Sequence, residues 1–187
     1  MKKDVRRIQA VGFAILLGAA FLFYIKTPEA YAQKKQQPQG CVDFATGGGI
    51  FQNTQAPGEV NFGFNIGFKN GDETPGGELN LIDHESSIHV KINSAVSYVP
   101  ATFFSDPCRC RRFEGTGTMD GSTVNYVIEV CDFAEPGAGA DEFGVLLCDP
   151  SLSPCDIGEP AQVYLAIGTL AGGNIQLHTA CPQEGCP

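Results

Sequence analysis

The stretch at residues 59–69, EVNFGFNIGFK, constrains the fold more than any other part of the chain. Its large apolar residues occupy every second position, and glycine, asparagine or lysine fills most of the positions between them. Successive side chains of a β-strand point to opposite faces, so this period of two produces one continuous apolar face. We predict a core strand here, with a glycine- and asparagine-rich outer face that is open to a partner or a covering strand.

Similar alternation recurs along the rest of the chain, whereas no segment of ten or more residues shows the spacing of an amphipathic helix. The pattern therefore predicts an all-β fold, namely a disulfide-tied antiparallel β-sandwich or jelly roll of about eight to ten strands. Besides a hairpin described below, strands are predicted at residues 50–51, 78–83, 87–92, 95–99, 102–105, 141–148, 162–170 and 174–178.

The N-terminal segment has the organisation of an export signal. Four basic residues in the first seven positions precede an apolar run at residues 10–25, and a small-x-small site ends at Ala32. As a helix this run would span about 24 Å, which is shorter than the ~30 Å hydrocarbon core of a bilayer. We predict a signal peptide helix at residues 1–32 that is cleaved after Ala32. The alternative is a retained N-terminal membrane anchor.

The remainder is organised as one domain. Residues 33–40, QKKQQPQG, form a polar linker, and residues 41–187 have the length of a single β-domain with its own core. Loss of the leader removes five of 12 basic and two of 21 acidic residues, which leaves a net charge of about −12. Such a surface disfavours nucleic acid, because nucleic-acid binding depends on lysine and arginine. It permits calcium or a cationic partner.

All eight cysteines lie beyond the leader, at Cys41, Cys108, Cys110, Cys131, Cys148, Cys155, Cys181 and Cys186. An even number of cysteines after a signal peptide indicates four disulfides formed in an oxidising compartment. A zinc site is the competing interpretation, but the C-x2-C spacing of a zinc knuckle does not occur. We therefore expect an exported protein that is secreted, periplasmic or attached to the cell surface.

One hairpin has a register that the sequence specifies. The Asp-Gly pair at residues 120–121 is typical of a two-residue type I′ turn, which places Cys110 opposite Cys131. This is a non-hydrogen-bonded position, where the two backbones are about 4.5 Å apart, and it suits a disulfide. The same register predicts a cross-strand ion pair between Arg112 and Glu129.

A second disulfide is predicted within the loop that runs from Cys148 to Cys155. The pairing of the other four cysteines stays open. Cys181 and Cys186 pair with each other, or one of them reaches Cys41 or Cys108.

Two acidic clusters were considered as metal sites. Asp83, Glu85 and His89 share one strand parity and would point together if the strand ran unbroken. Asp141 and Glu142, next to the glycine-rich loop at residues 135–140, carry oxygen ligands of the type that calcium prefers. A metal centre needs three or four convergent ligands, and each cluster is a partial set. We therefore predict a polar turn and a solvated acidic loop, with no cofactor assigned and calcium left as an option.

No catalytic motif stands out. No serine lies in a G-x-S-x-G elbow, and the cysteines are expected to be oxidised. The favoured function is a structural or binding module without catalysis, whose partner is an extracellular protein or a glycan. The alternative is an extracellular hydrolase or metal-dependent enzyme that uses residues 83–89.

Four segments resemble the post-COAP domain, a secreted bacterial β-rich module that often follows a choice-of-anchor P module. They are TGGGI, DETPGG with LIDH, EPGAGADEF and GTLAGGNIQLH, in this order between residues 46 and 178. The resemblance implies an exported, surface-associated domain with no known activity, and it assigns no catalytic residue.

Overall fold

Nine β-strands form the architecture of this computed structural model, which describes residues 42–69, 72–101 and 106–179. The strands are β1 (Asp43–Gln52), β2 (Glu59–Phe68), β3 (Gly76–Asp83), β4 (Ile88–Ile92), β5 (Ser97–Pro100), β6 (Cys110–Met119), β7 (Ser122–Cys131), β8 (Glu142–Cys148) and β9 (Gln162–Thr179). No helix occurs in these ranges. The described residues accordingly include no helix with the length and apolar character needed to cross a membrane.

The strands form one antiparallel sheet that closes on itself. Their order is β4-β3-β2-β1-β9-β8-β7-β6, and β4 then pairs with β6 through Val90–Met119 and Lys91–Thr118. The short β5 pairs with the other end of β6. The all-β prediction is confirmed, but the described strands form a closed eight-stranded barrel rather than the two packed sheets of a sandwich or jelly roll. Alternation indicates which face of a strand is buried, and it does not indicate whether the sheet closes.

The barrel interior is filled by the apolar face that the sequence predicts for β2. Val60, Phe62, Phe64 and Ile66 are buried there, while Gly63 between them is exposed. The Phe62 ring stacks on a phenylalanine ring of β8 with 4.1 Å between centroids. Burying each of these side chains contributes roughly 1.5–3 kcal/mol to folding. This strand is therefore a core strand, as predicted.

The last two predicted strands are one strand. β9 runs without a break for 18 residues, and the glycines expected to separate two strands lie at a β-bulge. Ile50 pairs with Gly172 whereas Phe51 pairs with Leu170, so one extra residue is accommodated in β9. Gly173 has φ +104°, and a Cβ atom there would lie 2.1 Å from a β1 carbonyl oxygen. The glycines permit close backbone contact within the sheet, and the predicted interruption is wrong.

The β6–β7 hairpin has the predicted register. Asp120 and Gly121 both have positive φ, 51° and 83°, as a type I′ turn requires. Cys110 lies opposite Cys131 and is joined to it by a disulfide, with 4.2 Å between the Cα atoms.

The other cysteines are accounted for as follows. Cys148 is bonded to Cys155, and Cys108 is also disulfide-bonded, so no described cysteine is free. The predicted leader and linker, the strand at residues 102–105, and Cys41, Cys181 and Cys186 lie outside the described residues.

Candidate functional site

A groove crosses the outer surface of the barrel over β7, β8 and β9. Its cavity volume is only about 40 Å³, so it is a shallow recess. Its lining combines six aliphatic residues, one glycine and three charged residues, namely Val127, Val145, Leu146, Ile157, Leu165, Ile167, Gly144, Arg112, Glu129 and Asp156.

Strand register explains the position of this groove. Residues that pair across neighbouring strands share one face of the sheet. The groove lies across two adjacent rows of such residues on the outer face. The first row is Arg112, Glu129, Gly144 and Ile167, and the second is Glu114, Val127, Leu146 and Leu165. Glycine has no side chain, so the first row drops to backbone level at Gly144. Aliphatic side chains stand beside that gap and form the walls.

The loop closed by the Cys148–Cys155 disulfide covers the outer face of β8. Leu146, Cys148 and Ala161 form a small apolar cluster beneath it, outside the barrel core. A hydrogen bond of 2.8 Å from the Asp149 amide to the Ala161 carbonyl closes the base of the loop. As a result, β8 is buried on both faces, and the residues directly after the loop, Asp156 and Ile157, reach the groove.

A charged cluster lies on the β6 side of the groove. Arg112 donates from Nε to Glu114 and from Nη1 to Glu129, at 3.3 Å for the second contact. The Arg112–Glu129 contact is the ion pair that the hairpin register predicts. Partial burial acts against the charge of Arg112, but the two carboxylates outweigh it and raise the pKa of Arg112. Asp156 adds a further carboxylate to the described lining of the groove.

Asp83, a candidate metal ligand, stabilises a turn by accepting hydrogen bonds from it. It faces the interior at the end of β3, and its Oδ1 accepts hydrogen bonds from the Glu85 and Ser86 amides at 3.0 and 3.1 Å. Its Oδ2 accepts from the Tyr164 hydroxyl at 2.9 Å. Burial raises the pKa of Asp83, yet these donors outweigh burial and lower it.

The other two members of that cluster do not form a set of metal ligands with Asp83. The chain turns at residues 84–87, so the strand does not run unbroken and the parity argument fails. Glu85 is exposed in the turn, and exposed His89 pairs with Ile82 on the outer face. Asp83, Glu85 and His89 therefore do not converge.

Asp141 organises the glycine-rich loop instead of standing free in it. Its carboxylate is fully buried and accepts from the amides of Phe133, Ala134 and Ile175 at 2.9, 3.2 and 2.8 Å. Glu142 is partly buried, and burial raises its pKa. Among the described residues, no group of three or more His, Cys, Asp or Glu side chains is arranged to hold a metal ion.

A buried ion pair at one end of the barrel was not predicted from the sequence. Arg111 has no exposed surface, and its Nε donates to Asp43 at 3.0 Å. Tyr98 donates its hydroxyl to the same carboxylate, and its pKa is raised well above the usual value by burial and by that charge. Strand parity could have found this arrangement, because Arg111 is two residues from Phe113 and shares its inward face.

The groove was missed as well, although a signal for it exists. Residues of both parities are apolar in β8, and this pattern indicates a strand that is covered on its outer as well as its inner face. No protein-family model, curated protein or solved structure gives a significant match to this chain, so the groove is interpreted from its own residues.

Proposed function

We propose that this protein is an exported, non-catalytic binding module, secreted or held at the cell surface, whose outer groove contacts the ligand. The observation behind the proposal is the groove itself, an aliphatic recess next to fixed charges. Binding sites typically combine an apolar lining with a few polar groups that set orientation. The resemblance to the post-COAP domain suggests the same surface-associated role.

Export is supported by the covalent framework of the domain. The Cys110–Cys131 and Cys148–Cys155 disulfides are features of an oxidising compartment. The leader at residues 1–32 points to the same route, either by cleavage or as a retained anchor. The acidic surface favours a protein or glycan partner over nucleic acid.

Binding rather than chemistry is supported by the residues around the groove. Its described lining holds no serine, threonine, cysteine or histidine side chain, and of its two carboxylates Glu129 is bound by Arg112 at 3.3 Å. Of the histidines, His89 is exposed on β4, and His178 stacks on Phe44 with 4.4 Å between ring centroids.

Methyl-resolved NMR of the full chain, with its disulfides formed, tests the proposal. We would titrate it with short aliphatic peptides of differing charge and with an N-acetylglucosamine trimer. Shifts confined to groove methyls, such as those of Val127, Leu165 and Ile167, are expected, while core methyls such as Leu79 stay unchanged. Absence of any groove shift with every probe would contradict the proposed function.

A further inference from the structure

We infer that the groove accepts a lysine or arginine side chain of an extracellular protein partner. This inference rests on the proposed function and adds the chemistry of the ligand to it. Three observations lead to it, namely the exposed Asp156 carboxylate, the aliphatic walls of the groove and the absence of aromatic rings from the part of its lining that the structure describes.

The charge balance favours a cation. The guanidinium of Arg112 is already held by Glu114 and Glu129. Asp156 is exposed at the groove, and none of the described cations forms an ion pair with it. Asp156 Oδ1 accepts a hydrogen bond from the Ile157 amide at 2.8 Å, and its charge is left for an approaching ammonium or guanidinium group. The net charge of −9 for the whole chain also attracts a cationic partner at long range.

The aliphatic walls suit the stem of such a side chain. Lysine and arginine bury their methylene groups along apolar surface while the charged end stays near polar groups. Val127, Leu165 and Ile167 provide that surface, and the gap at Gly144 provides the depth. A purely apolar ligand would cover the Asp156 carboxylate without compensating its charge, which is unfavourable.

A protein partner fits this groove better than a glycan does. Among the residues that the structure describes, no aromatic side chain lines the groove to stack against a sugar ring. The recess is shallow, with a cavity volume of about 40 Å³, so a side chain would lie along its aliphatic walls and not be enclosed.

Three matched peptides test the inference on the full, oxidised chain. The probes are acetyl-Val-Lys-Val-amide, its norleucine analogue, which keeps the methylene stem without the charge, and its glutamate analogue. Affinities come from the shifts of groove methyls, with the N-acetylglucosamine trimer as the glycan arm. We expect the lysine peptide to bind about fivefold more tightly than the norleucine peptide, as for one favourable exposed charge pair.

Two variants locate the charge that matters. Asp156→Asn removes the groove carboxylate and is expected to weaken lysine-peptide binding by about two- to fivefold. Glu159→Gln removes a charge from the same loop at an exposed residue outside the groove lining, so it controls for net charge and should have a smaller effect. Unchanged core methyl spectra would show that both variants are folded.

The outcomes separate the inference from the proposed function. Equal or tighter binding of the norleucine or glutamate peptide, or groove shifts with the trimer instead, would overturn the cation inference and leave a binding groove in place. Equal losses in Asp156→Asn and Glu159→Gln would also overturn it, because net charge alone would explain them. If no probe shifts a groove methyl, the proposed function fails too.

Discussion

The buried carboxylate of Asp141 allows a sharp test of how the glycine-rich loop is held. Asp141 accepts backbone hydrogen bonds from the loop, at Phe133 and Ala134, and from β9, at Ile175. Asp141→Asn keeps the size of the side chain but replaces one acceptor oxygen with an NH₂ group. At least one of the three amides then loses its acceptor and faces a donor.

The expected loss of stability follows from these contacts. A buried donor left without a partner costs roughly 1–3 kcal/mol, and hydrogen bonds to charged groups contribute about 1.5–3 kcal/mol each. We expect Asp141→Asn to lower the free energy of unfolding by about 2–4 kcal/mol, and Asp141→Ala to lower it further. This is a large fraction of the roughly 5–15 kcal/mol that stabilises a typical domain.

Denaturant unfolding with the disulfides intact measures this change, with Asp149→Asn as the matched control. Asp149 accepts from the amide and hydroxyl of Ser151, but its side chain is at the surface, so we expect only a small effect there. A loss in Asp141→Asn no larger than in the control would refute the reasoning. Calcium that raises the melting temperature of the unmodified protein but not of Asp141→Asn would instead restore the calcium-ligand interpretation.

Further predictions concern a glycine, a titrating carboxylate and a disulfide. Gly77→Ala should destabilise the protein by about 1–3 kcal/mol, because φ is +136° and the new Cβ would lie 1.9 Å from a carbonyl oxygen of β2. Gly63→Ala, where no atom lies within 4 Å of the new Cβ, should change the unfolding free energy by less than about 0.5 kcal/mol in the same assay. The lowered pKa of Asp83 means that its charged form stabilises the fold above the ordinary pKa of 3.8 and that this stability is lost as pH falls below it. The stability gap between the unmodified protein and Asp83→Asn should therefore close in that acidic range, and a gap independent of pH would contradict this. Replacing both Cys148 and Cys155 with alanine should cost about 2.5 kcal/mol by loop entropy and make the loop sensitive to proteolysis, whereas a loop that still resists protease would show that packing alone holds it.

Local rules account for what the sequence predicted correctly. The buried face of β2 follows from a period of two, and the β6–β7 register follows from a two-residue turn. Each prediction therefore depends on only one segment or on two adjacent segments. The disulfide of Cys110 and the ion pair of Arg112 follow from the same register. None of these predictions depends on where distant strands lie.

The features that were not predicted from the sequence depend on the arrangement of strands that are distant along the chain. The closure of β4 on β6 rests on pairs such as Val90–Met119, and alternation within either strand contains no signal for it. Gly172 looks the same in sequence whether it ends a strand or accommodates a bulge. Asp83 and Asp141 resemble metal ligands in sequence, because an acidic residue that caps backbone amides has the same local pattern. Predicting the groove would have required the register of three strands and the position of the covering loop.

The pairing of the first strand with the last has a consequence for how the chain folds. β1 and β9 pair from Asp43–Thr179 onwards, across more than a hundred residues, and this contact separates β1 from β8 in the barrel. Such distant pairing is slow to form, because the entropy cost of closing a long loop comes before any contact that offsets it. A chain that stops before β9 would leave one edge of β1 and one edge of β8 unpaired, and open edges of this kind template aggregation. Truncation at the C-terminus should therefore produce insoluble protein rather than a smaller folded domain.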